Sequence, residues 1–201
     1  MPFERDEELV EKLLDRQVLP GGTYLTFARD TVVTNDGLQH SRDLVIHPGA
    51  VTIAGVLDDR SILLVRQYRH ASGELLLELP AGTLDMIDGA AEDALTAAKR
   101  ELSEETGYRA GAWRKLAEFW TAPGFASELM HLYLATNLEA DPDFKGADED
   151  ERLQVKRMPF EDALVLAERG EIRDAKTLIG LYLLERLARR GEIAELDEDS
   201  A

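Results

Sequence analysis

The pattern of apolar and polar positions divides the chain into strand-like runs around one strong helix, with two more helices at the end. Leu9, Val10, Leu13 and Leu14 recur at helical spacing, which predicts a short amphipathic helix or a loose arm over residues 3–17. Pro20-Gly21-Gly22 breaks the chain. Residues 24–33 are rich in β-branched and aromatic side chains, Asn35-Asp36-Gly37 makes a turn, and an apolar run resumes at 44–46. This predicts an N-terminal hairpin or small sheet. Pro48-Gly49 opens the next section. There, 50–57 and 62–68 read as two strands joined by a hairpin turn at Asp58-Asp59-Arg60-Ser61. A short apolar run at 75–79 ends at Pro80-Ala81-Gly82.

The clearest helix covers about 92–106, with Ala94, Leu95, Ala97, Ala98 and Leu102 as its apolar positions. Gly107 suits a left-handed cap, and Tyr108 beyond it supplies the accompanying hydrophobic contact. Residues 113–121, 129–135 and 153–158 read as strands, and 139–151 as an acidic loop. One helix starts at Pro159-Phe160-Glu161 and runs to about 169, and another spans about 175–189. Strands on both sides of a central helix, followed by terminal helices, give a mixed α/β sandwich.

Composition narrows the function classes. The chain has 201 residues, which suggests one domain with or without an appendage. With 23 basic and 40 acidic residues it carries a net charge of −17. Nucleic acids and anionic membrane surfaces are polyanions, so neither is expected as the main partner. A small phosphate ligand remains compatible, because a bound cation reverses the local sign of the field. Hydrophobic residues make up 44%, enough for a sizeable core. The absence of cysteine excludes disulfides, thiolate metal sites and cysteine nucleophiles. No apolar run approaches the about 20 residues of a membrane span. The N-terminal segment is charged throughout, without the apolar stretch of a secretory signal. A cytoplasmic protein is therefore expected.

The chemistry concentrates in Arg100-Glu101-Leu102-Ser103-Glu104-Glu105-Thr106-Gly107-Tyr108. On a helix, Glu101, Glu104 and Glu105 share one face, where like charges repel. A divalent cation would justify grouping them, since Mg²⁺ takes carboxylate oxygens and also holds substrate phosphates. Arg100 can orient a carboxylate through a bidentate pair. A solvated acidic helix face is the simpler alternative. Two features weigh against it: Glu92, two turns before Arg100 on the same helix, and the strand end at Pro80-Ala81-Gly82, where a free carbonyl could face the cluster.

These residues resemble the signature of the Nudix hydrolases, G-x5-E-x7-R-E-U-x-E-E-x-G-U with U a bulky apolar residue. Glu92-x7-Arg100-Glu101-Leu102-x-Glu104-Glu105-x-Gly107-Tyr108 matches it, with Tyr108 as the last bulky residue. One departure is present. The glycine position six residues before Glu92 holds Met86, and the natural partner, Gly82, lies ten residues away. This amounts to a four-residue insertion in the loop 84–91, which a connection before the helix can absorb.

Residues 40–190 are similar to the ADP-ribose pyrophosphatase branch of that family, through Arg66-Gln67-Tyr68-Arg69, Leu76-Leu77-Glu78-Leu79-Pro80-Ala81-Gly82, Ala122-Pro123-Gly124-Phe125, Ser127-Glu128 and Asp148-Glu149-Asp150-Glu151. The resemblance implies a Nudix-type α/β/α sandwich with a mixed sheet and a small N-terminal antiparallel β segment. It divides the chain into an arm and exchanged β segment (1–47), a catalytic domain (48–191) and an acidic, mobile tail (192–201). It implies metal ligation by the main-chain oxygen of Ala81 and by Glu101 and Glu105, with Glu104 supporting them or replacing one. Glu149 matches the catalytic base and Glu151 a further metal ligand; a plain solvated loop is the alternative for both. The carboxylates of the reaction are thus Glu149, Glu105 and Glu104.

Arg69 and Arg42 match arginines that hold the substrate's phosphates or ribose, Arg42 by reaching the partner subunit's site in a homodimer; a surface salt bridge is the alternative for Arg69. Phe125 and Glu128 match a loop bordering the terminal ribose, with capping of the core as the alternative for Phe125. Tyr24 matches an adenine-stacking aromatic loosely, and a core tyrosine is the simpler reading. His40, His47, His70 and His131 show no metal-ligand spacing, and Trp113 and Trp120 read as packing residues. The implied activity is hydrolysis of ADP-ribose to AMP and ribose 5-phosphate with two or three Mg²⁺ or Mn²⁺ ions per site. The alternatives are a different Nudix substrate (a nucleotide sugar, a dinucleoside polyphosphate or an oxidised nucleotide) and a non-enzymatic ADP-ribose sensor. A sensor typically loses carboxylates that this chain keeps.

Overall fold

The computed structural model describes residues 9–22, 25–144 and 152–196. They fall into two units, one formed by Met1–Pro48 with Trp120–Leu129 and the other by Gly49–Phe119 with Met130–Ala201. The segment 120–129 therefore groups with the N-terminal unit, although it was expected within the domain 48–191.

The first unit is an antiparallel meander of β1 (Lys12–Leu19), β2 (Thr26–Val33) and β3 (Gln39–Ile46), in that spatial order. The helix or arm expected over 3–17 is thus corrected: its described part is mostly strand. Pairing along β2 overrides the helical spacing. Arg16 Nε and Nη2 reach both carboxylate oxygens of the buried Asp30, at 2.8 and 2.7 Å, from the directly opposite position. Leu13 and Leu14 are each 53% exposed, so no apolar helix face forms. The expected turn closes where Asp36 accepts from Thr34 Oγ1 and from Leu38 N–H, with Gly37 at φ 83°. The segment 120–129 runs beside β3, with Val45 N–H donating to Phe125 O at 2.7 Å and Ser127 N–H to Val45 O at 3.0 Å.

The second unit contains β4 (Ala50–Gly55), β5 (Ser61–Arg69), β6 (Glu74–Glu78), β7 (Ala81–Thr83), β8 (Met86–Ile87), β9 (Ala90–Ala91), α1 (Ala94–Thr106), β10 (Tyr108–Trp120), β11 (Leu129–Ala140), β12 (Leu153–Pro159), α2 (Phe160–Glu168) and α3 (Ala175–Ala188). Trp120 and Leu129, at the ends of β10 and β11, belong to the first unit. One sheet has the order β10-β11-β4-β7, mixed because β4 pairs parallel with β11 and antiparallel with β7. The other has the order β12-β5-β6 and is antiparallel.

The turn expected between 50–57 and 62–68 forms, with Leu57 N–H donating to Ser61 O at 2.9 Å and Arg60 at φ 65°. The hairpin beyond it does not. After one bridge, Val56 to Ile62, β4 and β5 enter different sheets. Every residue of β4 is buried, as expected of a near-continuous apolar run placed between two other strands.

Two-residue alternation sends side chains to opposite layers. Val51, Ile53, Leu63, Tyr133 and Ala135 pack with Ala97, Ala98 and Leu102 of α1. Ala54, Ile62, Leu64, Leu132 and Leu134 pack with Phe160 and Leu164 of α2 and Leu181 and Leu184 of α3. The result is the expected α/β/α arrangement. Ile193 and Leu196 join the second cluster through a 3-10 turn at Ala194–Leu196, so the described part of the segment expected as a mobile tail is packed. Among the described residues, no helix is long and apolar enough to cross a membrane.

Candidate active site

Helix α1 is fixed at both ends by short-range chemistry. Asp93 caps its start, accepting from Thr96 N–H at 2.9 Å. Gly107, at φ 71°, ends it in the left-handed conformation and donates to Ser103 O at 2.9 Å. Glu92 therefore precedes the cap, a correction to its expected place on the helix. The Ser103 hydroxyl bonds the carboxylate of buried Asp141, which also meets Arg109 at 2.8 Å. Its N–H donates to Gly107 O at 2.7 Å, so the end of β11 holds the last turn of α1.

The last two turns present Glu101 and Glu105, 7% and 2% exposed, toward β7. Ala81 N–H donates to Glu105 Oε2 at 2.9 Å. Gly82 lies so close to Glu101 that an added Cβ would overlap its carboxylate. Arg100 draws the remaining acids together: its Nη1 reaches Glu101 Oε1 at 2.8 Å and Glu104 Oε2 at 2.9 Å, and its Nη2 reaches Glu92 Oε2 at 3.0 Å. Burial alone would lower the Arg100 pKa, but the bonds to Glu92 and Glu104 and the charge of Glu101 raise it above its ordinary value.

The loop that carries the insertion folds as a closed hairpin of β8 and β9, with Asp88 at φ 50° and Gly89 at φ 83°. Glu92 N–H donates to Asp85 O at 2.8 Å across its base. The insertion thus leaves the Glu92–Arg100 contact in place.

Arg69 ends β5 and grips Glu78 of β6 through Nε and Nη2, both at 2.8 Å. Glu78 is 1% exposed and also bonds Lys176 Nζ. Burial alone would raise the Glu78 pKa; the Arg69 bonds and the Lys176 charge lower it below its ordinary value. Glu78 and Lys176 escaped the sequence reading as site residues. The available signal was a glutamate inside the apolar run Leu76-Leu77-Glu78-Leu79.

Other expected residues lie in the first unit. Arg42 pairs with Glu11, and Phe125 is 58% exposed. Glu128 accepts from Thr121 Oγ1 and lies 3.4 Å from His47 Nε2. Tyr24, Glu149 and Glu151 lie outside the described residues.

Among the described residues, no group of three or more His, Asp or Glu side chains is arranged to hold a metal ion alone. The donors beside β7 are nevertheless hard: two nearly buried carboxylates, one bonded to Ala81 N–H and the other filling the space that Gly82 leaves without a side chain. That chemistry fits Mg²⁺ or Mn²⁺ rather than a soft metal.

The NUDIX domain profile matches residues 46–180. The chain is 36% identical over 179 residues to an ADP-ribose pyrophosphatase of Bacillus subtilis, covering 89% of this chain and 95% of that protein. It is 35% identical over 195 residues to a GDP-mannose pyrophosphatase of Cronobacter sakazakii, covering 92% and 96%. Its fold matches a crystal structure of an ADP compounds hydrolase, with a TM-score of 0.76 and 24% identity over 91% of this chain and 97% of that one. On the profile match and on α1 carrying the Arg100-Glu101-x-x-Glu104-Glu105 pattern against β7, the chain belongs to the NUDIX family of hydrolases.

Proposed function

We propose that the chain hydrolyses the diphosphate bond of ADP-ribose, giving AMP and ribose 5-phosphate. The observation that carries this reading is the seating of two nearly buried carboxylates, Glu101 and Glu105, against Ala81 and Gly82. Similarity to the Bacillus subtilis ADP-ribose pyrophosphatase over most of both chains supports the substrate.

In this reading the Ala81 carbonyl, Glu101 and Glu105, with Glu104 and Glu151, hold two or three Mg²⁺ or Mn²⁺ ions. When bound, such ions neutralise diphosphate charge and acidify water. Glu149 takes the proton of the attacking water as its oxygen bonds one phosphorus and the bridging P–O bond breaks. Arg69 and Arg42 contact phosphate oxygens, and Phe125 and Glu128 border the terminal ribose. Residues 1–47 exchange between the subunits of a cytoplasmic homodimer, which brings Arg42 to the partner's site. In support of this, β1 exposes Leu13, Leu14 and Val18, apolar surface that a partner subunit would cover.

A nucleotide sugar is the second reading, favoured by the likeness to a GDP-mannose pyrophosphatase. Product analysis with ADP-ribose, GDP-mannose and ADP-glucose, with and without Mg²⁺, separates the two. Mg²⁺-dependent release of AMP and ribose 5-phosphate, preferred over the other substrates, is the expected result. Preference for GDP-mannose would keep the carboxylate site and replace the substrate.

A further inference from the structure

Four charges meet where β5, β6 and the first turn of α3 converge. Arg69 spends its Nε and Nη2 edge on Glu78, while Nη1 has no hydrogen-bond partner among the described residues. Glu78 is buried and shares one oxygen, Oε2, between Arg69 and Lys176. Lys176 is itself buried and lies 3.1 Å from Asp174. Asp174 caps α3 through Thr177 N–H at 3.0 Å, and Thr177 Oγ1 accepts from Leu79 N–H at 2.7 Å. The start of α3 is therefore bolted to residues 78 and 79, three and two positions before Ala81.

The charge balance gives this arrangement a purpose. Arg69 and Glu78 alone would cancel, and a neutral pair attracts a diphosphate weakly. With Lys176 on the same carboxylate, Glu78 is shared between two cations and no longer cancels Arg69 alone, while Asp174, 3.1 Å from Lys176, offsets part of the added charge. We propose that Lys176 is a positioning residue for the diphosphate: by sharing Glu78, it leaves the outward Nη1 edge of Arg69 positively charged and rigidly aimed at a phosphate oxygen. This rests on the ADP-ribose reading given above. The negative charge of Glu105 also bears on Arg69, which places that arginine's field at the carboxylate site.

The test compares wild type with K176M, E78Q and K176M/E78Q in steady-state turnover of ADP-ribose at several KCl concentrations. K176M should raise KM about tenfold with kcat within about twofold, the mark of lost binding rather than lost chemistry. Its KM should also depend less steeply on salt, since one cation has been cancelled. Adding E78Q to K176M should lower KM again, because Arg69 is released from the carboxylate it is hydrogen-bonded to. A merely structural lysine predicts the opposite, further damage. Unchanged KM and salt dependence in K176M, or no recovery in the double variant, would overturn the inference. If K176M alone fails to fold, the double variant removes one charge of each sign and keeps the net charge of the pocket, and a salt dependence shallower than wild type there would overturn it equally. Wild-type protein with no ADP-ribose turnover would overturn the substrate reading and this inference together; active wild type with an indifferent K176M would overturn this inference alone.

Discussion

Gly82 and Glu101 occupy adjoining space so closely that a Cβ on the strand would fall on the carboxylate. The conflict falls on the mobile end of a glutamate, so the fold can yield cheaply while the carboxylate cannot keep its place. Gly82→Ala is therefore expected to preserve folding, with Tm shifted by only a few degrees. Its Mg²⁺ requirement should rise by about 10–100-fold, the usual effect of disturbing what orients a ligand. Metal titrations of turnover beside thermal melts check both halves.

Arg100 serves Glu92, Glu101 and Glu104 with one planar fork. A lysine carries the charge but cannot span three carboxylates in two directions. Arg100→Lys should lower kcat/KM by about 10–100-fold while circular dichroism stays native. Activity within twofold of wild type would mean that charge alone, not the fork, organises the acids.

Much of this site was legible in the sequence because it is local. The spacing of Glu101, Glu104 and Glu105 along one helix needs only the helical period, and Gly107 marks the cap directly. What escaped is long-range. Leu13 and Leu14 have helical spacing, yet the partner strand with Asp30 opposite Arg16 makes residues 12–19 extended. β4 and β5 look like a hairpin because their turn is real; burial of both faces of β4 sends them to separate sheets. Glu78 and Lys176 lie 98 residues apart, beyond any periodicity.

The proton acceptor is tested by charge removal. Glu149→Gln should lower kcat by about 10²–10⁴-fold with little change in KM, as loss of a general base does. Glu151→Gln should instead raise the Mg²⁺ concentration needed for half-maximal rate. Exchanged phenotypes would exchange the two roles.

Gly107 has two reasons to resist a side chain. Its φ of 71° is costly for an L-residue, and a Cβ would meet the Phe144 ring at 2.9 Å. Gly107→Ala should cost at least about 1–2 kcal/mol, read as a lower urea midpoint at unchanged slope. Because the residue caps α1 two positions after Glu105, the Mg²⁺ requirement should rise as well.

Glu78 makes stability depend on acid. Its carboxyl is held below the ordinary value of 4.5 in the folded state, so the unfolded chain takes up the proton first. The stabilisation is complete above that ordinary value and fades as pH falls through the lowered one. Glu78→Gln cannot titrate and leaves Arg69 and Lys176 facing an uncharged partner in a buried pocket, at a cost of about 3–5 kcal/mol near neutrality. Urea melts of both proteins at pH 7, 4.5 and 3 should show a gap that is full at neutrality and shrinks toward the acid end. A gap of constant size across that range would show that packing, not charge, is what Glu78 supplies.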